Sequence, residues 1–125
     1  MVWEDLSPSR FLSRSSFKNA ISAAMAVECS TNGIIHLIAI ARTAEFDIRL
    51  NDFDRIGKEV PVIANIRANG NNYFMEGFYY AGAIRAMLKA FVKFLKTEAT
   101  IVNGKSIVEN LKAKKFTIIM FLNVR

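Results

Sequence analysis

Cysteine is nearly missing from this chain. Cys29 stands alone, which excludes any internal disulfide framework and fits a reducing, cytoplasmic setting. Long apolar runs are missing too. The longest candidate, from Asn32 to Ala41, is closed by Arg42 and falls well short of the roughly 18 continuous residues of a membrane span. Glu4 and Asp5 precede any apolar stretch, so the beginning of the chain does not read as a secretory signal. There is a single histidine, His36, and there are two prolines. No internal repeat and no low-complexity segment breaks the sequence. Acidic residues are the scarcer charge, 11 against 17 basic ones, for a formal charge of +6.

What is present argues for a packed core. Over 125 residues, 52% are hydrophobic and ten are phenylalanine, enough apolar surface for one domain or a portion of one and too much for a disordered chain. Pro8 disfavours helix at Ser7, so the first residues read as loop or extended chain. Ser13 or the Ser15-Ser16 pair then caps a helix running to about Val27, with Phe17, Ala20, Ile21, Ala24 and Met25 on one side. A turn at Glu28-Cys29-Ser30 leads to a second helix from about Asn32 to Ala44. Its Ile34, Leu37, Ile38 and Ala41 share a face, and Ser30 or Thr31 is placed to cap it. His36, alone on an apolar face, reads most simply as a core histidine with one nitrogen satisfied. Asn51 can cap a short third helix over residues 52–58, with Asp52 and Asp54 as its first-turn acids and Phe53 and Ile56 inward.

The run Val60-Pro61-Val62-Ile63-Ala64-Asn65-Ile66 has the β-branched content of a buried strand, of the kind found in parallel sheets. Residues 68–72 carry the strongest loop signal, and Tyr73, Tyr79 and Tyr80 are expected to pack that loop against the body. A long helix is expected over residues 76–95, interrupted early by Gly77 and Gly82, with Glu76 favourably placed at its positive end. Its apolar face is Ile84, Met87, Leu88, Phe91, Val92 and Leu95. Arg85, Lys89, Lys93 and Lys96 then form one basic stripe, most simply a solvated face. Nucleic-acid binding through that stripe is disfavoured, because no aromatic residues alternate with the basic ones. Residues 100–102 read as a short strand, Asn103-Gly104 as a tight turn, and residues 106–111 as a last short helix. Together these elements predict an α/β fold: several helices packed on an incomplete parallel sheet that is part of a larger domain.

A helix start such as Ser30-Thr31-Asn32 leaves free N–H groups at a positive dipole end, suited to a carboxylate or phosphate. The wording of residues 30–41 also resembles the Gly-Gly-Ser-Thr-Asn…His-Leu…Ala-Ile-Ala segment of the dihydroxy-acid and sugar-acid (aldonate, phosphogluconate) dehydratase family. Further motifs follow in register. Asp5-Leu6-Ser7-Pro8-Ser9 and Phe17-Lys18-Asn19-Ala20-Ile21 are similar to the family's Asp-Leu-x-Pro-Ser and Phe-Glu-Asn-Ala-Ile. Asn51-Asp52-Phe53-Asp54-Arg55-Ile56 with Val60-Pro61, and Tyr73-Phe74-Met75-Glu76 with Ala81-Gly82, resemble its later segments. The stretch from Thr100 to Asn110 resembles the Thr-Val-Asn-Gly-Lys-Thr-Ile-x-Glu-Asn of the aldonate branch, which favours sugar acids over branched-chain precursors.

The resemblance implies a hydro-lyase that converts a 2,3-dihydroxy or sugar acid to a 2-keto acid, with an iron–sulfur cluster as Lewis acid and a magnesium ion helping to hold substrate. It turns Ser30, Thr31 and Asn32 toward substrate or cofactor. It also implies that the family's cluster cysteines, magnesium ligands and serine base lie outside this stretch of sequence. Accordingly no catalytic and no metal-binding residue is assigned here, and no cofactor is expected for this chain alone. Glu28 and Cys29 stand where the family has two glycines; a positive φ there would cost each of them roughly 1–2 kcal/mol. Residues 1–110 are taken as a partial dehydratase domain and residues 111–125 as an apolar and basic tail outside the family pattern. The expectation is a fragment inactive by itself. The alternative is a small non-catalytic module that binds an anion or a homologue, with homo-oligomers left open and neither membrane nor nucleic acid as partner.

Overall fold

In the computed structural model, residues 2–66 and 73–112 are described; the expected loop at 68–72 and most of the 111–125 tail lie outside them. A 3-10 turn at Val2–Glu4 and another at Pro8–Arg10 lead into α1 (Arg14–Ala26), α2 (Thr31–Thr43) and α3 (Leu50–Gly57). An irregular passage over residues 60–66 follows. Then come α4 (Met75–Tyr80), α5 (Ala83–Ala90), a 3-10 turn at Val92–Phe94 and α6 (Ile107–Lys112).

α1 begins where the serines predict. Ser13 Oγ accepts from the Ser16 N–H at 3.1 Å, and the Ser13 N–H donates to Ser16 Oγ at 2.7 Å, a reciprocal capping box. α1 packs chiefly on α3. Phe17, Ile21 and Ala26 join Phe53 and Ile56 in the core, and the Phe17 ring lies 5.2 Å from that of Phe46. Gly57 lets α3 come close: a Cβ added there would stand 3.0 Å from Met25 Sδ. α3 starts one residue before the expected Asn51 cap. Arg49 precedes it, and Asp52 reaches back to accept from the Arg49 N–H at 3.0 Å. A carboxylate one turn in satisfies the orphan donor better than the exposed Asn51 amide does.

The parallel sheet is not found among the described residues. The passage over 60–66 is irregular and carries buried Val60, Ile63, Ala64 and Ile66, and its only pairing among the described residues is an isolated parallel bridge from Ile66 to Tyr73. Extended chain makes a ladder only with strands beside it, and here its N–H groups go elsewhere. Ile63 and Ala64 both donate to the Ala26 carbonyl, at 2.8 and 3.1 Å, so the passage docks on the C-terminus of α1. The expected strand at 100–102 is likewise a single antiparallel bridge, Thr100 to Ser106, around a turn with Gly104 at φ +76°. The described fold is helical.

The long helix over 76–95 is also corrected. Gly82 sits at φ +100° and Ala83 at φ +49°, which ends α4 and restarts the chain as α5. A second break at Phe91 passes into the 3-10 turn. Met87, Phe91 and Leu95 still reach the core, because the short turn keeps the inward side inward, but Ile84 and Val92 are exposed. The basic stripe is cut with it. Arg85 and Lys89 stay on α5, whereas Lys93 and Lys96 follow the turn to another part of the surface. Tyr79 and Tyr80 are exposed and pack edge-to-face on each other at 5.6 Å. No described helix is long and apolar enough to cross a membrane.

Candidate functional site

α1 ends in a Schellman motif. The Cys29 N–H donates to the Ala24 carbonyl at 3.0 Å and the Glu28 N–H to that of Met25 at 3.3 Å, with Glu28 left-handed at φ +51°. This geometry favours glycine, and Glu28 bears the expected strain. Cys29 has no positive φ and escapes it. α2 ends the same way: Phe46 donates to Ala41 at 2.8 Å, Glu45 to Arg42 at 3.0 Å, and Glu45 takes φ +63°.

The motif turns the chain so that Ser30, Thr31 and Asn32 stand exposed at the start of α2. Ser30 holds the cap position with extended backbone, φ −68° and ψ 158°, but no side chain caps this helix. That corrects the expected hydroxyl cap. The Ser30 carbonyl accepts from Gly33 at 2.9 Å, and the N–H groups of Thr31 and Asn32 have no partner among the described residues. Hydroxyls, amide and free N–H groups therefore all remain available to a ligand at the positive end of a helix of 13 residues. His36 lies on the exposed face of α2, outside the core that was expected to hold it. Of the inward face, Ala41 is buried while Ile34, Leu37 and Ile38 are half covered.

Beside this helix start lies a cavity of about 570 Å3, reaching α4 and α5, with Glu28, Cys29, Ser30, Ile66, Met75 and Tyr79 in its wall. Its surface is mainly apolar. Glu28 Oε2 is buried and has no hydrogen-bond partner among the described residues. Cys29 is half-buried with its sulfur against Gly33, where an added Cβ would meet Sγ at 3.5 Å, and burial pushes its thiol above the ordinary value. The thiol stays protonated near neutral pH, as a packing cysteine does and a reactive one does not.

The sequence pattern of the dihydroxy-acid/6-phosphogluconate dehydratase N-terminal family matches residues 1–110. The chain belongs to that family. Among curated relatives, the L-arabinonate dehydratase of Rhizobium leguminosarum bv. trifolii is 40% identical over 114 residues, 90% of this chain and 20% of its own length. The dihydroxy-acid dehydratase of Chromohalobacter salexigens is 39% identical over 109 residues, 86% of this chain and 19% of its own. The chain thus spans about one fifth of the length of these dehydratases.

The resemblance read from the sequence implies an iron–sulfur cluster and magnesium, and a single cysteine does not fit the cluster. A cluster takes several thiolates. Cys29 supplies one sulfur, and no three His, Cys, Asp or Glu side chains gather among the described residues. Sequence reasoning missed the cavity beside Ser30, because its far wall comes from α4 and α5, some 45–55 residues downstream.

Proposed function

We propose that this chain carries the substrate-facing helix start of a hydro-lyase, one that removes water from a 2,3-dihydroxy or sugar acid to give a 2-keto acid. The observation that carries this reading is the family match over residues 1–110, whose residues 30–32 stand exposed at a helix start with Ser30 in the wall of a cavity. Ser30, Thr31 and Asn32 would bind the acid's carboxylate or hydroxyls; they hold no proton-transfer role. Dehydration itself needs a base and a Lewis acid that we assign to other parts of such an enzyme. On this reading the chain alone binds weakly and does not turn over, and residues 111–125 lie outside the dehydratase portion. The exposed outer face of α2, with Ile35 57% accessible, supports a role against further protein. Glu28 sets a carboxyl group beside the acid's position and should weaken its binding.

Titrating L-arabinonate into the chain while following amide resonances tests this. Saturable shifts at Ser30 to Gly33, stronger in a Glu28→Gln variant, are expected, with no 2-keto acid formed. Shifts absent from that helix start in both proteins would overturn the site, and turnover by the chain alone would overturn its inactivity.

A further inference from the structure

A second recess, of about 280 Å3, lies between α1, the end of α3 and the turn at Val92–Phe94. Lys18 and Ser22 line it one turn apart on α1. Arg55 and Glu59 line the opposite side, and Lys93 and Lys96 close it. Four cations therefore surround one space that holds a single carboxylate among its lining residues. Arg55 is already engaged by Asp52 at 2.7 Å. The Lys93 ammonium lies 5.0 Å from the Phe94 ring centre. The ammonium groups of Lys18, Lys93 and Lys96 have no carboxylate partner among the described residues. Ser22 is 4% exposed, its hydroxyl has no hydrogen-bond partner among the described residues, and it lines the recess.

We propose that this recess binds a compact oxyanion of two or more charges, an inorganic phosphate or the phosphate group of a small ester. Like charges held together raise the energy of the folded chain, and an anion between them offsets that repulsion. Lysines act as point charges on a tetrahedral phosphate, whereas a planar carboxylate is best held by a free guanidinium fork, and the one arginine here is committed to Asp52. A phosphate monoester carries about −1.5 to −2 charges near neutral pH and several acceptor oxygens, enough for three ammonium groups and a buried hydroxyl. Nucleic acid fits less well, since Phe94 is half-buried and offers no open face for base stacking. The site is assembled by the fold: Asn19 clamps the backbone of Lys96 against α1, bringing residues 93–96 beside Lys18.

Following amide resonances during titration with sodium phosphate, against sodium chloride at matched ionic strength, tests the site. Saturable shifts are expected at residues 18–22, 55–59 and 93–96. The double variant Lys18→Ala/Lys96→Ala should bind about tenfold or more weakly, as loss of charged hydrogen bonds predicts, and Ser22→Ala about fivefold more weakly. Glu59→Gln should bind more tightly. Glucose 6-phosphate, carrying the same group on a small ester, should shift the same residues. Equal responses to phosphate and chloride, or phosphate affinity unchanged in the folded double variant, would overturn the proposal. So would tighter binding of a single-stranded oligonucleotide with shifts spreading to Arg85 and Lys89.

Discussion

The side-chain amide of Asn19 and the backbone of Lys96 hold each other in a closed pair: Nδ2 donates to the Lys96 carbonyl at 2.9 Å, and the Lys96 N–H donates to Oδ1 at 2.7 Å. Asn19 is only 6% exposed, so both its polar ends are satisfied by a segment 77 residues away in the chain. It imitates a β-ladder rung, pinning the irregular chain after α5 onto α1. Asn19→Ala would leave two partly buried backbone groups unpaired and should cost about 1–3 kcal/mol, read as a lowered urea midpoint. A loss near zero would mean that water replaces the amide without penalty.

Two serines in the same nominal role should behave differently. Ser13 caps α1 through a reciprocal pair, and Ser13→Ala should cost about 1 kcal/mol in chemical denaturation. Ser30 makes no side-chain cap, so Ser30→Ala should fall within about 0.5 kcal/mol of the parent chain. A hydroxyl left idle in the fold is one available to a ligand.

Glu28 and Glu45 both occupy left-handed positions at helix ends. Replacing Glu45 by glycine should stabilise by about 0.5–1 kcal/mol, the relief of strain less the added freedom of the unfolded chain. Glu28→Gly should gain more, because it also removes a buried oxygen with no partner among the described residues. Thermal melting of the two single variants gives the comparison.

Acid should destabilise the chain through identifiable carboxylates. The Arg49 N–H, then the Arg55 guanidinium, hold the Asp52 carboxyl below its usual range. The Ser106 hydroxyl and N–H do the same for Glu109 at the start of α6. Depressed folded-state values mean that the stabilisation is complete above the unfolded values, about 3.9 for Asp and 4.3 for Glu, and is lost as pH falls through the folded ones. The melting temperature should therefore drop as pH is lowered below about 4, and the drop should be shallower in Asp52→Asn.

Helix positions were largely legible in the sequence, since a cap and a repeat of apolar residues act within one or two turns. Ser13, Phe17 and Ile21 announce α1 locally, and Ser106 with Glu109 announces α6. The breaks in the expected long helix were half legible. Gly82 marks the first, but no local signal marks the second at Phe91, which follows from the need to bury that ring and carry Lys96 back to Asn19. The sheet was not legible, because the β-branched run at 60–66 signals extended and buried chain without saying what lies beside it. In the structure its amides bond to Ala26. Family membership was the most legible property of all, being carried by residue identities in order along the chain.

The sequence by itself determined the ancestry, through residue identities along its length, and, through neighbours within a few positions, the start of α1 and the polar triplet at residues 30–32. Tertiary structure alone decided that Glu28 Oε2 would be buried with no partner among the described residues, and that Ser30 would head a cavity walled by α4 and α5. It also decided that Lys18, Arg55, Lys93 and Lys96 would share one recess. Those features depend on groups tens of residues apart, and only the burial of a common core brings them together.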